Sequence, residues 1–537
     1  MPCSLTPSQS TSLRTWQHRA LDRMADWREG PFLISAAPGA GKTRPALELA
    51  KDLLGKGIVG RVAVLCPTTP LTRQWASAAA VLGVQLQPDA KGPNPPRDFH
   101  GVAVTYARVA SDPRGWAAKV AADMLVIVDE AHHLGEDLAW GTGFQRAFAS
   151  APRWLLLSGT PFRSDATPIP GVRYDHDGVV VPDVSYTYAE AVAEGICRPV
   201  AFVTFDGTLS WRSGEDVVES SFETVLSARE ASRRYRTAIS TELPEGLPRI
   251  LQEANAKLRA LRAEGHRDAG GLAVAADATH ARRIAKLLGE TTGRAPVVVL
   301  HTEARAARKL ADFRGSREPW IVAVNMVSEG VDIPRLRVGV YATAAKTPLI
   351  FRQIVGRFVR TIPTDRRSAN GTEPSWLYLP ADPTLRAHAS EVETELRHAL
   401  HRDAPEEGWD EPLQRRASEP SPTAEFVPLS AEFAAQMTLF GAPHRAHHSP
   451  SPASAAEEAP EPAPVAAFER QALLRQERSR LVAELHRHDG RSHREINAWV
   501  NRTVGLERVE TASIKQLERS IHALTRELTR GHRPSRA

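Results

Sequence analysis

The sequence predicts an α/β protein with two parallel-sheet domains in tandem, followed by a disordered linker and a small all-α C-terminal module. Short runs rich in β-branched residues alternate with helix-periodic stretches, and this alternation occurs twice along the chain. A stretch rich in Pro, Ala, Ser and Glu then interrupts the pattern, and helical periodicity resumes after it. We expect the two sheet domains at residues 1–197 and 198–403, the linker at 404–466 and the helical module at 467–537.

Five apolar runs in the first domain are bounded by turn residues, which is typical of strands buried on both faces. They are PFLISAA, RVAVLCP, GVAVTYA, MLVIVDE and RWLLLSGT. The stretches RPALELAKDLL and LTRQWASAAAVL, which lie between them, have helical periodicity. Strands that alternate with helices predict a parallel sheet with crossover helices.

The second domain repeats this pattern. Its predicted strands are GLAVAAD, PVVVLH, WIVAVNM and VGVYAT, and its predicted helices include ATHARRIAKLLG and TPLIFRQIVGRFVR. The stretch 205–265, which leads into this sheet, is predicted to be polar and then helical.

Bulk composition is that of a soluble globular protein, with 42% hydrophobic and 24% charged residues. The cysteines, Cys3, Cys66 and Cys197, match no zinc spacing or disulfide framework, so we expect a cytoplasmic location. No apolar run approaches membrane-spanning length, and no membrane partner is expected. From Glu469 onwards 15 Arg or Lys face 9 Asp or Glu, which suggests a polyanion partner or a solvated charged helix.

The stretch AAPGAGKT, residues 36–43, fits the phosphate-loop pattern except that Ala36 stands at the first glycine. Glycines in such a loop let backbone N–H groups surround a phosphate at a helix N-terminus. Lys42 would reach the β- and γ-phosphates, and the Thr43 hydroxyl would bind Mg²⁺. The residues predicted to hold the nucleotide here are Ala37, Pro38, Gly39, Ala40, Gly41, Lys42 and Thr43.

The stretch MLVIVDEAHHL, residues 124–134, puts two carboxylates and two imidazoles after an apolar run. With the phosphate loop upstream, Asp129 would hold Mg²⁺ and Glu130 would orient the attacking water. A zinc site is the alternative, but zinc motifs on a helix place two histidines at i and i+4. His132 and His133 are adjacent and would diverge, which favours a magnesium–nucleotide site.

Lys42-Thr43 followed by DEAHH resembles the superfamily 2 helicases and translocases, whose motor consists of two RecA-like domains. Further segments follow the motif order of that family: LRTWQHRAL, CPTTPLTRQW, VTYARV, LSGTPFRSD, VNMVSEGVDIP and QIVGRFVR. The resemblance covers roughly residues 13–380.

The resemblance implies a role for individual residues. Gln17 would bind adenine, Gly330 and Asp332 would meet the nucleotide, and Arg357 and Arg360 would act as arginine fingers from the second domain. The residues implied to couple the nucleotide site to the nucleic-acid site are His132, Ser158, Thr160 and Gln353. Those implied to contact the nucleic-acid backbone are Thr68, Thr69, Arg73 and Thr105.

Within this superfamily, DEAHH, SGTPFRSD and SEGVDIP are most similar to the type I/III restriction-subunit branch, which is chiefly DNA-directed. We therefore expect an ATP-dependent DNA helicase or translocase with ATP and Mg²⁺ as cofactors. An RNA helicase and a nucleotide-gated DNA-binding factor that does not translocate are the alternatives. Only about 30 residues precede the phosphate loop, too few for a nuclease domain, so a separate nuclease subunit is a candidate partner.

Two features lie outside the predicted motor. QMTLF, Gln436 to Phe440, resembles the pentapeptide by which bacterial replication proteins dock on the sliding clamp, whereas packing onto the motor is the alternative. The C-terminal helices suggest a surface for DNA phosphates, a protein-interaction or dimerisation module, or, through their histidines, a metal site. The arginines predicted to form the phosphate surface are Arg475, Arg478, Arg480, Arg487, Arg491 and Arg494.

Overall fold

The computed structural model describes residues 13–159, 168–176, 178–213, 216–300, 303, 305–324, 333–361, 367–368, 371–400, 426–437 and 466–530. The chain divides into two compact units, one of residues 1–35, 41–185 and 450–537 and the other of residues 36–40 and 186–449. No helix within these described stretches combines the length and apolar character needed to span a membrane.

The first sheet has seven strands in the described part of the chain, in the order β3-β4-β2-β5-β6-β1-β7. They are β1 (Gly30–Ala36), β2 (Arg61–Cys66), β3 (Leu86–Pro88), β4 (Gly101–Thr105), β5 (Met124–Asp129), β6 (Arg153–Ser158) and β7 (Val184–Tyr186). The pairings from β3 through to β1 are all parallel. The central strand β5 is buried along its whole length, as its unbroken apolar run predicts.

Helices cover this sheet. They are α1 (Thr15–Ala25), α2 (Thr43–Gly55), α3 (Thr69–Val81), α4 (Tyr106–Ser111), α5 (Pro113–Ala117), α6 (His133–Glu136) and α7 (Leu138–Phe148). On one face the core joins Val126 and Val128 of β5 to Phe144 and Phe148 of α7. Because the neighbouring strands are parallel, the carboxyl ends of β2, β4, β5 and β6 lie along one edge of the sheet, where ligands bind in folds of this class.

The second unit is built on a sheet ordered β11-β12-β10-β13-β16-β8-β17, with β9 paired to β8. Its strands are β8 (Val200–Ser213), β9 (Asp216–Ser221), β10 (Gly270–Ala275), β11 (Val297–Val299), β12 (Trp320–Val324), β13 (Leu336–Ala342), β16 (Ser375–Pro380) and β17 (Phe426–Met437), and β14 (Arg367–Ser368) and β15 (Gly371–Thr372) form a separate ribbon. Its helices are α8 (Tyr188–Ala193), α9 (Ala228–Ala238), α10 (Leu247–Ala263), α11 (Ala278–Thr292), α12 (Ala306–Gly315), α13 (Pro348–Val355) and α14 (Pro383–Leu400).

Two details of this sheet correct the sequence interpretation. Residues 205–265 do not begin as a polar, strandless stretch, since β8 and β9 occupy most of its first part. Within the predicted linker 404–466, residues 426–437 form β17, which pairs antiparallel with β8. Alternation explains this strand: Ala431 and Phe433 are buried while Glu432 between them is exposed. The remaining linker residues lie outside the described ranges.

The strand β17 also reaches into the predicted clamp-docking pentapeptide. The backbone of Gln436 and Met437 pairs with Thr204 and Val203 of β8, rather than lying in an unstructured stretch. Residues 438–440 are not described. Clamp docking therefore stays a prediction, and it would need a segment whose first half belongs to a sheet.

The C-terminal module consists of α15 (Ala467–Asp489), α16 (His493–Val504), a 3₁₀ turn (Val509–Thr511) and α17 (Ile514–Arg530). Its core includes Leu481, Leu485, Ile496, Val500 and Leu524. The fold class predicted from the sequence, two largely parallel α/β sheets and a C-terminal helical module, is confirmed.

Two hydrogen bonds join the module to the first sheet domain, close to the edge strand β3. The Ala467 N–H donates to Gln85 Oε1 at 2.8 Å, and the Ile514 N–H donates to Asp98 Oδ2 at 2.7 Å. In both bonds the donor is an N–H group in the first turn of a helix, and such N–H groups have no acceptor within their own helix. The module is thus attached to the first sheet domain at the start of α15 and at the start of α17.

Candidate functional site

The phosphate loop connects β1 to α2 and has the backbone that phosphate binding requires. Gly39 and Gly41 adopt φ of +85° and +86°, a conformation that residues with a side chain rarely adopt. A Cβ at residue 41 would lie 3.0 Å from Gln17 Nε2, so glycine, which has no side chain, fits best at this position. Lys42 then caps α2, whose first residue is Thr43. The loop therefore fits a phosphate held by backbone N–H groups at a helix N-terminus.

Gln17, predicted to bind adenine, lies against this loop. Its Nε2 donates to the Gly41 carbonyl at 3.0 Å, and its Oε1 accepts from the Arg14 N–H at 2.9 Å. The side chain is 5% exposed. The amide is thus next to the phosphate loop and bonded to backbone at both ends, and adenine recognition stays a prediction.

Asp129 is the last residue of β5, at the carboxyl edge of the first sheet, and Glu130 directly follows it. Lys42 Nζ lies 3.6 Å from Glu130 Oε1, so the phosphate-loop lysine and the second carboxylate form an ion pair. Glu130 has a φ of +55°, an unusual conformation for a residue other than glycine. Backbone strain of this kind persists where the surroundings determine the conformation, and it is frequent at functional sites.

Two aromatic side chains fix Asp129 from positions distant in sequence. Trp75 Nε1 donates to Asp129 Oδ2 at 2.7 Å, and the Tyr106 hydroxyl donates to the Asp129 carbonyl at 2.5 Å. Trp75 belongs to α3 and Tyr106 to α4, and both are buried. One oxygen of the carboxylate is therefore positioned by α3, whose first residues belong to the segment CPTTPLTRQW.

The two adjacent carboxylates have opposite pKa shifts. Burial is the largest influence on Asp129 and, with the charge of Glu130, raises its pKa to about 6, while the bond from Trp75 opposes the shift. Burial also acts to raise the pKa of Glu130, but the charges of Lys42, His132 and His133 and the Gly159 N–H bond lower it to about 2. Glu130 is thus ionised at every pH in the neutral range, whereas Asp129 titrates near the lower end of that pH range.

His132 connects this pair to β6. Its Nδ1 lies 3.3 Å from Ser158 Oγ and 3.6 Å from Glu130 Oε2, and the Gly159 N–H donates to Glu130 Oε2 at 3.4 Å. The sequence expectation that His132 and His133 diverge is wrong, since their ring centroids are only 4.3 Å apart. Within the described ranges, no group of three or more His, Cys, Asp or Glu side chains is arranged to hold a metal ion. Thr160, the other predicted coupling residue of this segment, lies outside those ranges.

The residues predicted to contact nucleic acid are located at the same sheet edge. Thr68 directly precedes α3 without a side-chain capping bond, and Thr69 is the first residue of the helix. Arg73 Nε donates to Asp89 Oδ2 at 3.3 Å, and Thr105 Oγ1 accepts from the Arg108 N–H at 3.2 Å. Arg73 and Thr105 thus also have structural partners, and contact with nucleic acid stays a prediction for all four residues.

The remaining predicted residues of the motor belong to the second unit. Gln353 lies in α13, and Arg357 and Arg360 follow that helix. Arg360 forms an isolated antiparallel bridge with Cys197. Gly330 and Asp332 lie outside the described residues, and the finger and nucleotide-binding roles of this group stay predictions.

The predicted phosphate surface of the C-terminal module requires correction. Arg478 is 3% exposed and donates to Asn497 Oδ1 and Asn501 Oδ1, so it joins α15 to α16 inside the module. Other arginines of the set also bond to the module: Arg475 donates to the Glu510 carbonyl, Arg480 pairs with Glu477 and Glu484, Arg487 donates to the Ala483 carbonyl, and Arg491 pairs with Asp489 and Glu527. Arg478 is therefore a structural residue and does not belong to a phosphate surface. Arg480, Arg487 and Arg494 are exposed, and contact with DNA phosphates stays a prediction for the rest of the set.

Two family models match the chain. That of the type III restriction enzyme res subunit matches residues 10–163, and that of the helicase conserved C-terminal domain matches residues 256–361. Similar proteins occur in mycobacteria. The uncharacterized protein Rv2917 of Mycobacterium tuberculosis is 43% identical over 406 residues, which cover 74% of this chain and 66% of that protein. The uncharacterized protein ML1624 of Mycobacterium leprae is 41% identical over 420 residues, which cover 76% of this chain and 68% of that protein.

The chain thus spans 66% of the length of Rv2917. A solved structure of the ATP-dependent Type ISP restriction-modification enzyme LlaBIII bound to DNA is also similar, with a TM-score of 0.47 and 13% sequence identity. That match covers 73% of this chain and 30% of the LlaBIII chain.

Proposed function

The chain belongs to the superfamily 2 helicases and translocases, in the restriction-subunit-like branch, and on this premise we propose that it is a nucleic-acid-dependent ATPase acting on DNA. It couples ATP hydrolysis to movement along DNA or to remodelling of DNA. The observation that carries the proposal is the cluster at the carboxyl edge of the first sheet, in which Glu130 contacts both Lys42 and His132. This cluster joins a phosphate loop to a residue that bonds to the next strand, β6.

The described residues divide the work of hydrolysis among them. Magnesium-bound ATP, when present, supplies the phosphoanhydride bond that is broken. The loop from Gly39 to Thr43 would hold its phosphates, and Thr43 and Asp129 would hold the ion. The charges of Lys42, His132 and His133 lower the pKa of Glu130, so its carboxylate is ionised and can accept a hydrogen bond from the attacking water, which it would orient.

Communication with the nucleic acid runs through two neighbouring contacts. Because His132 contacts both Glu130 and Ser158, a movement of the Glu130 side chain would shift His132 and, through it, Ser158 on β6. Trp75 passes a change in α3, which carries Thr69 and Arg73, to Asp129. We assign Arg357 and Arg360 to the same reaction, as groups that would supply positive charge to the transferred phosphoryl group.

Partners and location belong to the same proposal. A separate nuclease subunit and a sliding clamp, bound at Gln436–Phe440, are candidate partners, and the cytoplasm is the expected location. A pull-down with purified clamp, comparing the wild type with the Gln436→Ala/Phe440→Ala variant, tests the clamp; equal retention contradicts it.

Steady-state ATPase assays with single-stranded, duplex and forked DNA, beside matched RNA, test the proposal. DNA is expected to stimulate turnover, and Glu130→Gln is expected to lower the stimulated turnover by about 100-fold or more. Lys42→Ala is the control for nucleotide binding. The proposal fails if no nucleic acid stimulates hydrolysis or if Glu130→Gln leaves turnover intact. If RNA stimulates hydrolysis more strongly than DNA, the proposed substrate is RNA instead of DNA. A triplex-displacement assay then separates translocation from clamping.

A further inference from the structure

A groove between α16 and α17 is a charged feature that the proposed motor does not use. It has a volume of about 630 Å³. Four basic side chains of α17 line it: Lys515, Arg519, His522 and Arg526. Residues spaced by four, three and four positions share one face of a helix, so these side chains form a single row. We refer to them as the α17 row.

The α17 row faces outward, while the opposite face of the helix is in the core. All four side chains are exposed, whereas Leu517 and Leu524 are fully buried. None of the four forms an ion pair with any residue that the structure describes. This distinguishes the row from the arginines of α15, which bond to their own module.

Acidic side chains of the groove are already neutralised from outside it. Glu518 pairs with Arg470 at 2.7 Å, and Glu527 pairs with Arg491 at 3.3 Å. The cations of the α17 row therefore give the groove a net positive field. Because no carboxylate of the module pairs with the row in the described residues, its natural counterpart is an anionic ligand with several charges in line.

The groove also contains an aromatic ring. Trp499 of α16 is half-buried and lines the cavity, and the Arg491 guanidinium lies 5.5 Å from its ring centroid. A row of cations beside an aromatic side chain is the combination by which proteins hold single-stranded nucleic acid, with phosphates on the cations and a base on the ring. An acidic peptide would use the cations but not the ring.

We propose that the α16–α17 groove is a binding site for single-stranded nucleic acid, separate from the motor. Lys515 and Arg526 are eleven residues apart, about 16 Å along a helix. At about 3.4 Å per phosphate this length matches roughly five nucleotides of a stacked strand. The Ile514–Asp98 hydrogen bond at the start of α17 attaches the site to the first sheet domain. Binding at this site needs no ATP. The proposal rests on the proposed function only in that the chain acts on nucleic acid.

The experiment measures binding of the full chain to a fluorescently labelled 20-nucleotide single strand by anisotropy, without ATP, from 50 to 200 mM salt. In the groove variant K515Q/R519Q/R526Q, affinity is expected to fall at least about 10-fold, and the salt slope to fall by about two, since three phosphate contacts are lost. The matched control R480Q/R487Q/R494Q removes the same charge from the module outside the groove. It is expected to change affinity by less than about threefold.

Trp499→Leu separates stacking from charge, because leucine keeps the apolar bulk of the side chain. It is expected to weaken binding about fivefold or more with an unchanged salt slope, since stacking releases no counterions. Thermal unfolding followed by circular dichroism verifies that each variant is folded.

Three outcomes overturn the proposal: an equal loss in the groove variant and its control, wild-type affinity in the groove variant, or equally tight binding of polyglutamate of matched charge. The ATPase assay keeps the two proposals apart. Groove-dependent binding without stimulated hydrolysis refutes only the motor function. Stimulated hydrolysis with groove-independent binding refutes only the groove.

Discussion

Replacing Trp75 with phenylalanine removes one hydrogen bond from Asp129 and keeps most of the aromatic packing. Trp75 is 2% exposed, and its Nε1 lies 2.7 Å from Asp129 Oδ2. A hydrogen bond to a buried charged group contributes about 1.5–3 kcal/mol. This bond favours the ionised carboxylate, so its loss should raise the pKa of Asp129 by roughly one to two units, at about 1.4 kcal/mol per unit.

The starting point makes this shift visible near neutral pH. Burial and the charge of Glu130 already raise the pKa of Asp129 to about 6. At pH 7 the ionised fraction should therefore fall from about nine tenths to between about one half and one tenth. Because only the ionised carboxylate binds Mg²⁺ well, the apparent affinity for Mg²⁺ should fall about 2- to 10-fold at pH 7. At pH 9 Asp129 is ionised in both proteins, and the difference should disappear.

The assay is a Mg²⁺ titration of the binding of a fluorescent ATP analogue at pH 7 and pH 9. Trp116→Phe is the matched control, since Trp116 is also 2% exposed in the same domain but contacts Phe148 instead. It should leave the affinity for Mg²⁺ unchanged at both pH values. A Trp75→Phe defect of equal size at pH 7 and pH 9, or an equal defect in the control, would refute the electrostatic reasoning.

Two further predictions concern packing. Arg478→Ala leaves two amide oxygens without their donors, so the free energy of unfolding of the module should fall by about 2–4 kcal/mol, measured by hydrogen exchange in α15 and α16. Arg480→Ala, at a surface position, is the control and should lower it by less than about 1 kcal/mol. Equal losses in the two variants would contradict the structural role of Arg478. Gly207→Ala would place a Cβ within 1.5 Å of the Glu432 carbonyl oxygen, so β17 should exchange its amides faster. Gly55→Ala, which has open space, is the control, and unchanged protection of β17 would contradict its pairing with β8.

The central strands of both sheets were predictable because a strand buried on both faces needs an unbroken apolar run. Elements at the sides of the sheets were not. β3 and β7 have three residues each, too few to show a period. β17 lies in a stretch whose average composition is that of a linker. Its side chains Ala431 and Phe433 are buried, and this becomes evident only when β8 is beside them.

The candidate site divides in the same way. Lys42, Asp129 and Glu130 were identifiable because their chemistry requires those residue types in short, contiguous motifs. Trp75 and Tyr106 act on Asp129 from 54 and 23 positions away, and sequence alone does not distinguish a hydrogen-bonding aromatic residue from a core residue. Arg478 was misjudged for the same reason, since its charge can be read from the sequence but its partners in α16 cannot.

The left-handed backbone of Glu130 has a consequence for engineering this protein. A residue with a Cβ at φ of +55° is strained by about 1–2 kcal/mol, which glycine avoids and asparagine tolerates better. Laboratory evolution for heat resistance alone would therefore favour Glu130→Gly or Glu130→Asn and would discard the carboxylate. The identity of residue 130 would therefore report on the selection in such an experiment, because glutamate is retained there only while variants are also selected for ATP turnover.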